Sequence, residues 1–292
     1  GTKANPVPFT TAALQIEANS RLGYSATTTM SAAQGLYQAG LITYHRTDSL
    51  NLSGEAIAAI SNYIKQTFGE NYVQVRRFHT KDASAQEAHE AIRPTNISQE
   101  VAGKNDYEKK LYQLIRTRTL ATQMKNAVVA KTTVDITPST DPELHFTAKG
   151  EVVIFDGFLR IYGKNKDTLL PQLNVGDQLN VHNLIAKQTY SKPPARYTEG
   201  SLVKKLEELG IGRPSTYASI INAIQVRNYV TKGESEGTER NLQEIILHGH
   251  HSVLDQDAAP NSISEDTVKE KTGANKGKLL PTPVGELVSD FL

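Results

Sequence analysis

The chain has 292 residues, room for two or three domains at roughly 100–200 residues each. With 38% apolar, 7% aromatic and 22% charged residues it excludes wholesale disorder and repeat fibres, and no apolar run approaches the roughly 18 residues of a membrane helix. Zero cysteines exclude a disulfide scaffold, a zinc ribbon and a thiol nucleophile, and the net charge of +1 hides +5 over residues 1–132, −1 over 133–192, +3 over 193–232 and −6 over 233–292.

Residues 1–127 read as helical. Thr10 or Thr11 can cap a first helix carrying Leu14, Ala18 and Leu22. A second helix, 25–38, puts Met30, Ala33 and Tyr37 on one face and stops at Gly40; residues 41–44 follow as a short strand. Ser53 caps an amphipathic helix with Ile57, Ile60, Ile64 and Phe68 inward and Gly69 at its end. A short helix is expected over 83–91, stopped before Pro94, and a long one over 106–124 with Tyr107, Leu111, Leu114 and Ile115 inward. The period then shortens to two: residues 128–136, 151–162 and 178–190 alternate as strands until Pro193-Pro194. Helices return over 201–209 and 214–227. Residues 233–277 are polar and without clear period, and are expected to form a long mobile insertion with a strand at 243–248; a last helix begins near Pro283. The fold class is therefore α+β and multidomain. A helical domain of helix-turn-helix character covers 1–127, a β-rich segment 128–193, and a helical domain with a polar insertion at about 233–277 covers 194–292.

Three segments carry chemistry. In GLITYHRTDS (40–49), Tyr44 ends an apolar run and Arg46 follows two residues later. A phenol of pKa ~10 is a poor nucleophile at neutral pH unless its anion is stabilised, and a nearby guanidinium can do that while neutralising a phosphoryl group under attack. The product would be a phosphotyrosine ester that keeps the backbone bond energy, so resealing would need no nucleotide. Taken alone, the same residues also fit a half-buried core tyrosine and a surface arginine. In AQEAHEAIRPT (85–95), His89 and Arg93 fall four apart, which on a helix would let both grip one phosphate; internal Glu–Arg pairing fits that spacing too. In GIGRPSTY (210–217), Arg213, Ser215 and Thr216 stand before a helix, where free N–H groups and hydroxyls can meet an anion, and Arg227 follows one helix length later; a plain capped helix reads the same way. His248-Gly-His250-His251 and Asp255-Gln-Asp257 read as solvated loop rather than metal sites.

These segments together resemble the bacterial type IA DNA topoisomerases, the topoisomerase I branch. The likeness runs from PFTTAALQIEA (8–18) and MSAAQGLY (30–37) through the three segments to LPTPVGELVSDFL (280–292). It implies that Tyr44 is the nucleophile forming a 5′-phosphotyrosine link, that Arg46 positions the scissile phosphate, and that Asp48 and His89 lie near the bound strand. Arg213, Ser215, Thr216 and Arg227 would line a single-strand groove, with Arg93 also expected on DNA. It implies a toroidal clamp made of a tyrosine domain, a β-rich arch and a helical base. The partners would be single-stranded and negatively supercoiled DNA in the bacterial cytoplasm, at the nucleoid, with no membrane. The Toprim domain of the family, which binds Mg²⁺, has no counterpart in this sequence. A fragment that binds no metal itself, and that is inactive without that domain of the same polypeptide, is therefore expected; the start at Gly1 rather than Met fits this. A non-catalytic helix-turn-helix DNA-binding protein is the alternative. A tyrosine recombinase fits poorly, because its tyrosine follows an H-x-x-R element near the C-terminus.

Overall fold

Side-chain caps start the four long helices of the N-terminal half in the computed structural model, which describes residues 1–79, 89–163, 167–249 and 262–292. Thr10 accepts from Ala13 N at the head of α1 (Thr11–Leu22), Ser25 from Thr28 N at α2 (Ala26–Gln38), Ser53 from Ala56 N at α3 (Gly54–Phe68), and Asn105 from Glu108 N at α4 (Asp106–Gln123). Each such cap satisfies one otherwise unpaired amide and is worth about 1 kcal/mol. Gly23, in the left-handed region, closes α1.

The chain groups into two compact units, one of residues 1–170 and 199–226, the other of residues 171–198 and 227–292. In the first, α1, α2 and α4 enclose Leu14, Ala18, Ala33, Leu36, Leu111 and Ile115 around Phe9, Ile42 and Ile92. A second cluster joins Ile57, Ile60 and Ile64 of α3 to Leu120 and Met124 at the end of α4 and to Phe158. A third packs α6 (Glu199–Glu208) and α7 (Tyr217–Val226) onto Ala12 and Ala26 through Val203, Leu206, Tyr217 and Ile221. Full burial of one Leu or Ile side chain contributes about 1.5–3 kcal/mol, so these clusters dominate the stability of the unit. Arg118 of α4 adds a polar tie: it donates to Glu17 Oε2 (2.5 Å) and Tyr162 Oη (2.6 Å) beneath the Phe9 ring.

The same unit carries the antiparallel sheet β1 (Thr2–Lys3), β2 (Ala127–Ile136), β3 (Phe146–Phe155), in that order, with Val129 opposite Val153 and Ile136 opposite Phe146. The alternation expected over 151–162 ends at Phe155. Gly157, at φ +50°, turns the chain, and a one-turn helix, α5 (Leu159–Tyr162), follows.

The second unit is mostly β. Strands β4 (Asn183–Lys187), β6 (Thr238–His248) and β7 (Ile263–Thr272) form one antiparallel sheet in the order β4-β6-β7. β5 (Val230–Lys232) pairs with β8 (Leu279–Pro281), and α8 (Pro283–Phe291) starts on a Thr282 cap. The described parts of the 233–277 stretch are thus mostly strand rather than a structureless insertion. Its polar residues face each other across the ladder: Arg240 meets Glu270 (2.6 Å), Lys269 meets Glu239 (3.1 Å), and Lys187 meets Glu244 (2.9 Å). Charged cross-strand pairing leaves no apolar period to read. The expected strand at 243–248 is the end of β6, and of the stretch 178–190 only β4 is strand. His250, His251, Asp255 and Asp257 lie outside the described residues; His248 bonds Ser264 Oγ through Nε2 at 2.8 Å.

Other expectations need correction. α2 buries Ala26, Thr29, Ala33 and Leu36, a face rotated from the expected one, and leaves Tyr37 40% exposed. Tyr107 is 57% exposed, while Tyr112, unremarked in the sequence, is fully buried. Residues 41–44 make a single bridge, Ile42 to Pro94, rather than a strand. Most of the helix expected over 83–91 falls outside the described residues, and His89, Glu90 and Ala91 are not helical. α7 begins at Tyr217, three residues after Pro214, because Pro214, Ser215 and Thr216 form the preceding turn.

A Cβ on residue 157 would stand 2.5 Å from Lys125 O and 2.6 Å from Asn126 O, both backbone atoms that cannot swing away. Gly157→Ala is therefore expected to lower stability by about 1–3 kcal/mol, read as a drop in the urea midpoint at unchanged slope.

Candidate active site

The segment bearing Tyr44 is irregular backbone, and two threonines hold it. On one side Thr43 Oγ1 donates to Ala91 O (2.7 Å) and accepts from Arg93 N (2.9 Å), while Thr43 N donates to Arg93 O (2.9 Å) and Thr95 N to Leu41 O (3.0 Å). On the other, Thr11 at the head of α1 donates through Oγ1 to His45 O (2.8 Å) and through N to Thr47 O (2.8 Å), and its Oγ1 accepts from Thr47 N (2.8 Å). A buried donor or acceptor left unpaired costs about 1–3 kcal/mol, so a lone bridge backed by these hydroxyls replaces a strand ladder. Ile92 N donates to Phe9 O (2.9 Å) and ties the same segment to the chain entering α1.

Tyr44 is half-buried, and three rings surround it: Tyr37 at 5.3 Å, His45 at 5.5 Å and His89 at 5.1 Å between centroids. All lie within the range of aromatic pairing. Arg46 is exposed, and no carboxylate among the described residues forms an ion pair with it; Asp48 is half-buried. The arrangement offers a phenol on a rigid segment with an unengaged guanidinium two residues on.

His45 is 1% exposed, and neither ring nitrogen has a hydrogen-bond partner among the described residues. Burial first, and the Arg46 charge second, push its pKa down to about 4. Sequence reasoning passed over Tyr37, which it assigned to the core face of α2, and His45, whose burial no periodicity signals in an irregular segment.

The remaining expected residues separate. His89 touches Tyr44, but Arg93 does not share a helix face with it. Arg93 instead binds Glu90 Oε2 through Nε (3.0 Å) and Nη2 (2.5 Å) and donates to Pro94 O (3.0 Å). Glu90 also accepts from Ser53 N (2.7 Å) at the head of α3, so this pair ties 90–93 to a helix start. Arg213 is exposed, in a turn that Gly212 opens at φ +83° and Thr216 Oγ1 closes by accepting from Arg213 N (2.8 Å); Ser215 is exposed beside it. Burial pushes the Tyr217 phenol pKa up, with Glu207 and Asp48 adding to that and Arg213 opposing it. Arg227 is exposed and belongs to the second unit.

A family model described as DNA topoisomerase matches residues 1–247. This chain belongs to the bacterial type IA DNA topoisomerase family. Among curated topoisomerase relatives, a prokaryotic-type DNA topoisomerase 1 of Acanthamoeba polyphaga mimivirus is 38% identical over all of this chain and 36% of its own length. DNA topoisomerase 1 of Vibrio cholerae is 44% identical over 84% of this chain and 28% of its own. The solved full-length topoisomerase I of Thermotoga maritima superposes with a TM-score of 0.74 at 33% identity, covering all of this chain and 43% of that one. The chain thus spans well under half the length of the topoisomerases it matches, and shares their mixed α/β fold.

The imidazole of His45 takes up a proton more easily in the unfolded chain, near its ordinary pKa of 6.5, than in the folded one, near 4. Its contribution to the stability of this topoisomerase chain is present above pH 6.5 and is lost as pH falls toward 4. About 2 kcal/mol should disappear between pH 7.5 and pH 5, and His45→Phe should flatten that part of the urea-derived stability profile.

Proposed function

We propose that this chain carries the strand-cleaving tyrosine of an ATP-independent DNA topoisomerase, which cuts and rejoins one DNA strand to relax negative supercoils. The observation that carries this reading is Tyr44, half-buried on a doubly clamped segment, with Arg46 two residues on exposed and paired with no carboxylate among the described residues. Tyr44 Oη attacks a backbone phosphorus, the bond from phosphorus to the 3′ oxygen breaks, and a 5′-phosphotyrosine ester forms. The phenolic proton leaves to solvent and the 3′ oxygen takes one up; resealing reverses the exchange. Arg46 neutralises charge that builds on the non-bridging oxygens. The clamps hold the phenol in place before the strand arrives, which lowers the entropic part of the barrier.

Asp48 and His89 border the phosphate, and the exposed turn bearing Arg213, Ser215 and Thr216 takes the adjoining strand; Arg227 is a separate DNA contact on the second unit. Arg93, engaged by Glu90, acts on DNA only through the position of this segment. The toroidal clamp, its hinge and work at the bacterial nucleoid in the cytoplasm belong to the same proposal. Mg²⁺ is implied by the family. The described residues of this chain bring no three His, Asp or Glu side chains together, so they do not fit that ion and no step here runs through it. Among the described residues, no helix is long and apolar enough to cross a membrane.

Two measurements test the reading. In a polypeptide that also carries the other family segments, Tyr44→Phe should abolish covalent capture of a 3′-labelled single-stranded oligonucleotide and leave its Kd within about twofold, because a hydroxyl is lost and no cation. Arg46→Ala should lower the capture rate by about 10²–10³. A Tyr44→Phe protein that still forms the adduct overturns the proposal. The 292-residue chain alone should bind single-stranded DNA in preference to duplex, with an affinity that falls steeply between 50 and 200 mM salt; a duplex preference counts against the groove.

A further inference from the structure

Residues 44 and 45 would point to opposite faces of a regular strand. Here the backbone is irregular, and the two rings instead meet edge to face, 5.5 Å apart at 67°. Tyr37 of α2 closes the triangle: its ring is 5.3 Å from Tyr44 at 69° and 5.5 Å from His45. His89, reaching from the 91–95 side, covers Tyr44 at 5.1 Å. Among the described residues, the rings of Tyr37 on α2 and Tyr44 on its own segment pack on His45, the Arg46 charge acts on it, and His89 packs on the Tyr44 ring. No carboxylate among the described residues bonds the imidazole.

We propose that His45 is a positioning residue for Tyr44, a neutral ring shut into the interior whose packing between Tyr37 and Tyr44 sets the direction in which the phenol points toward the strand. The proposal rests on the reading of Tyr44 as the nucleophile. His45 serves by shape. Neither ring nitrogen has a hydrogen-bond partner among the described residues, and the residue is 1% exposed. Its carbonyl, held by Thr11 Oγ1 at 2.8 Å, fixes the backbone from which the ring hangs. An imidazolium at this spot would place a second positive charge next to Arg46 with two unsatisfied N–H groups. Neutrality of His45 therefore keeps Arg46 the one cation on the segment, and the direction of its depressed pKa agrees.

The test uses ring signals and covalent capture together. With ¹³C-labelled histidine, the His45 signal in the 292-residue chain should stay at its neutral position from pH 8 to pH 5.5. His45→Phe should keep the Tyr44 ring shifts and, in the longer polypeptide, bring covalent capture to within about threefold of the parent. His45→Ala should average the Tyr44 ring shifts and lower capture by about tenfold or more, with the single-strand Kd within about twofold. Titration of His45 near 6.5 overturns the proposal. So does loss of capture in His45→Phe with binding intact, which would show the imidazole nitrogens acting in the chemistry, or an unchanged Tyr44 signal in His45→Ala. If the alanine variant fails to fold, the wild-type titration and the phenylalanine variant still decide. Tyr44→Phe separates the two readings: an adduct that survives that change removes the nucleophile, whereas the ring shifts report on His45 whichever residue attacks DNA.

Discussion

Everything at the candidate site depends on two threonine hydroxyls gripping a segment that has no sheet to belong to. Thr11 and Thr43 each act as donor and acceptor at once, and between them they satisfy backbone groups of residues 45, 47, 91 and 93. A reactive side chain gains most from a support that does not reorganise when substrate binds. A strand would supply that rigidity through a ladder, but it would also force residues 44 and 45 to opposite faces. The threonine clamps give rigidity while letting both rings enter one aromatic cluster.

The clamps also explain why the helical part of the first unit is built as it is. Thr11 is the first residue of α1, so its amide is free to bond Thr47 O in place of an intrahelical partner. Glu90 bonds Ser53 N at the head of α3 and neutralises Arg93, which anchors the far side. α2 contributes Tyr37. Glu199, 3% exposed, accepts from Ala26 N at the head of α2 and docks α6 beside it, which brings the α6–α7 pair and the Arg213 turn into the same unit as the tyrosine. Helix starts thus do double duty: their unpaired amides hold the helices and hold the pieces of the site.

Charge is partitioned to match. Most arginines of the first unit are engaged: Arg93 with Glu90, Arg118 with Glu17 and Tyr162, Arg116 with Ile97 O and the Tyr63 ring. Arg46 and Arg213 are exposed, and neither pairs with a carboxylate among the described residues. In the second unit Glu239, Glu244 and Glu270 of β6 and β7 each meet a Lys or Arg of a neighbouring strand. The net charge of +1 therefore says little about where a polyanion would find cations.

By itself the sequence determined the helices that carry caps and a strong apolar period: α1, α3, α4 and α8 begin where Thr10, Ser53, Asn105 and Thr282 place them, because capping is a local bond between residues three apart. It also carried the family likeness and marked Tyr44, Arg46 and His89 as candidates, because the order of these residues is local. Only the tertiary structure decided that β6 and β7 pair, since their stabilising contacts are charges 30 residues apart that leave no apolar rhythm. It alone decided that Arg93 turns to Glu90, and that Tyr37 and His45 close around the phenol. Those outcomes follow from which buried groups find partners, and partners distant in the chain leave no mark on a local pattern.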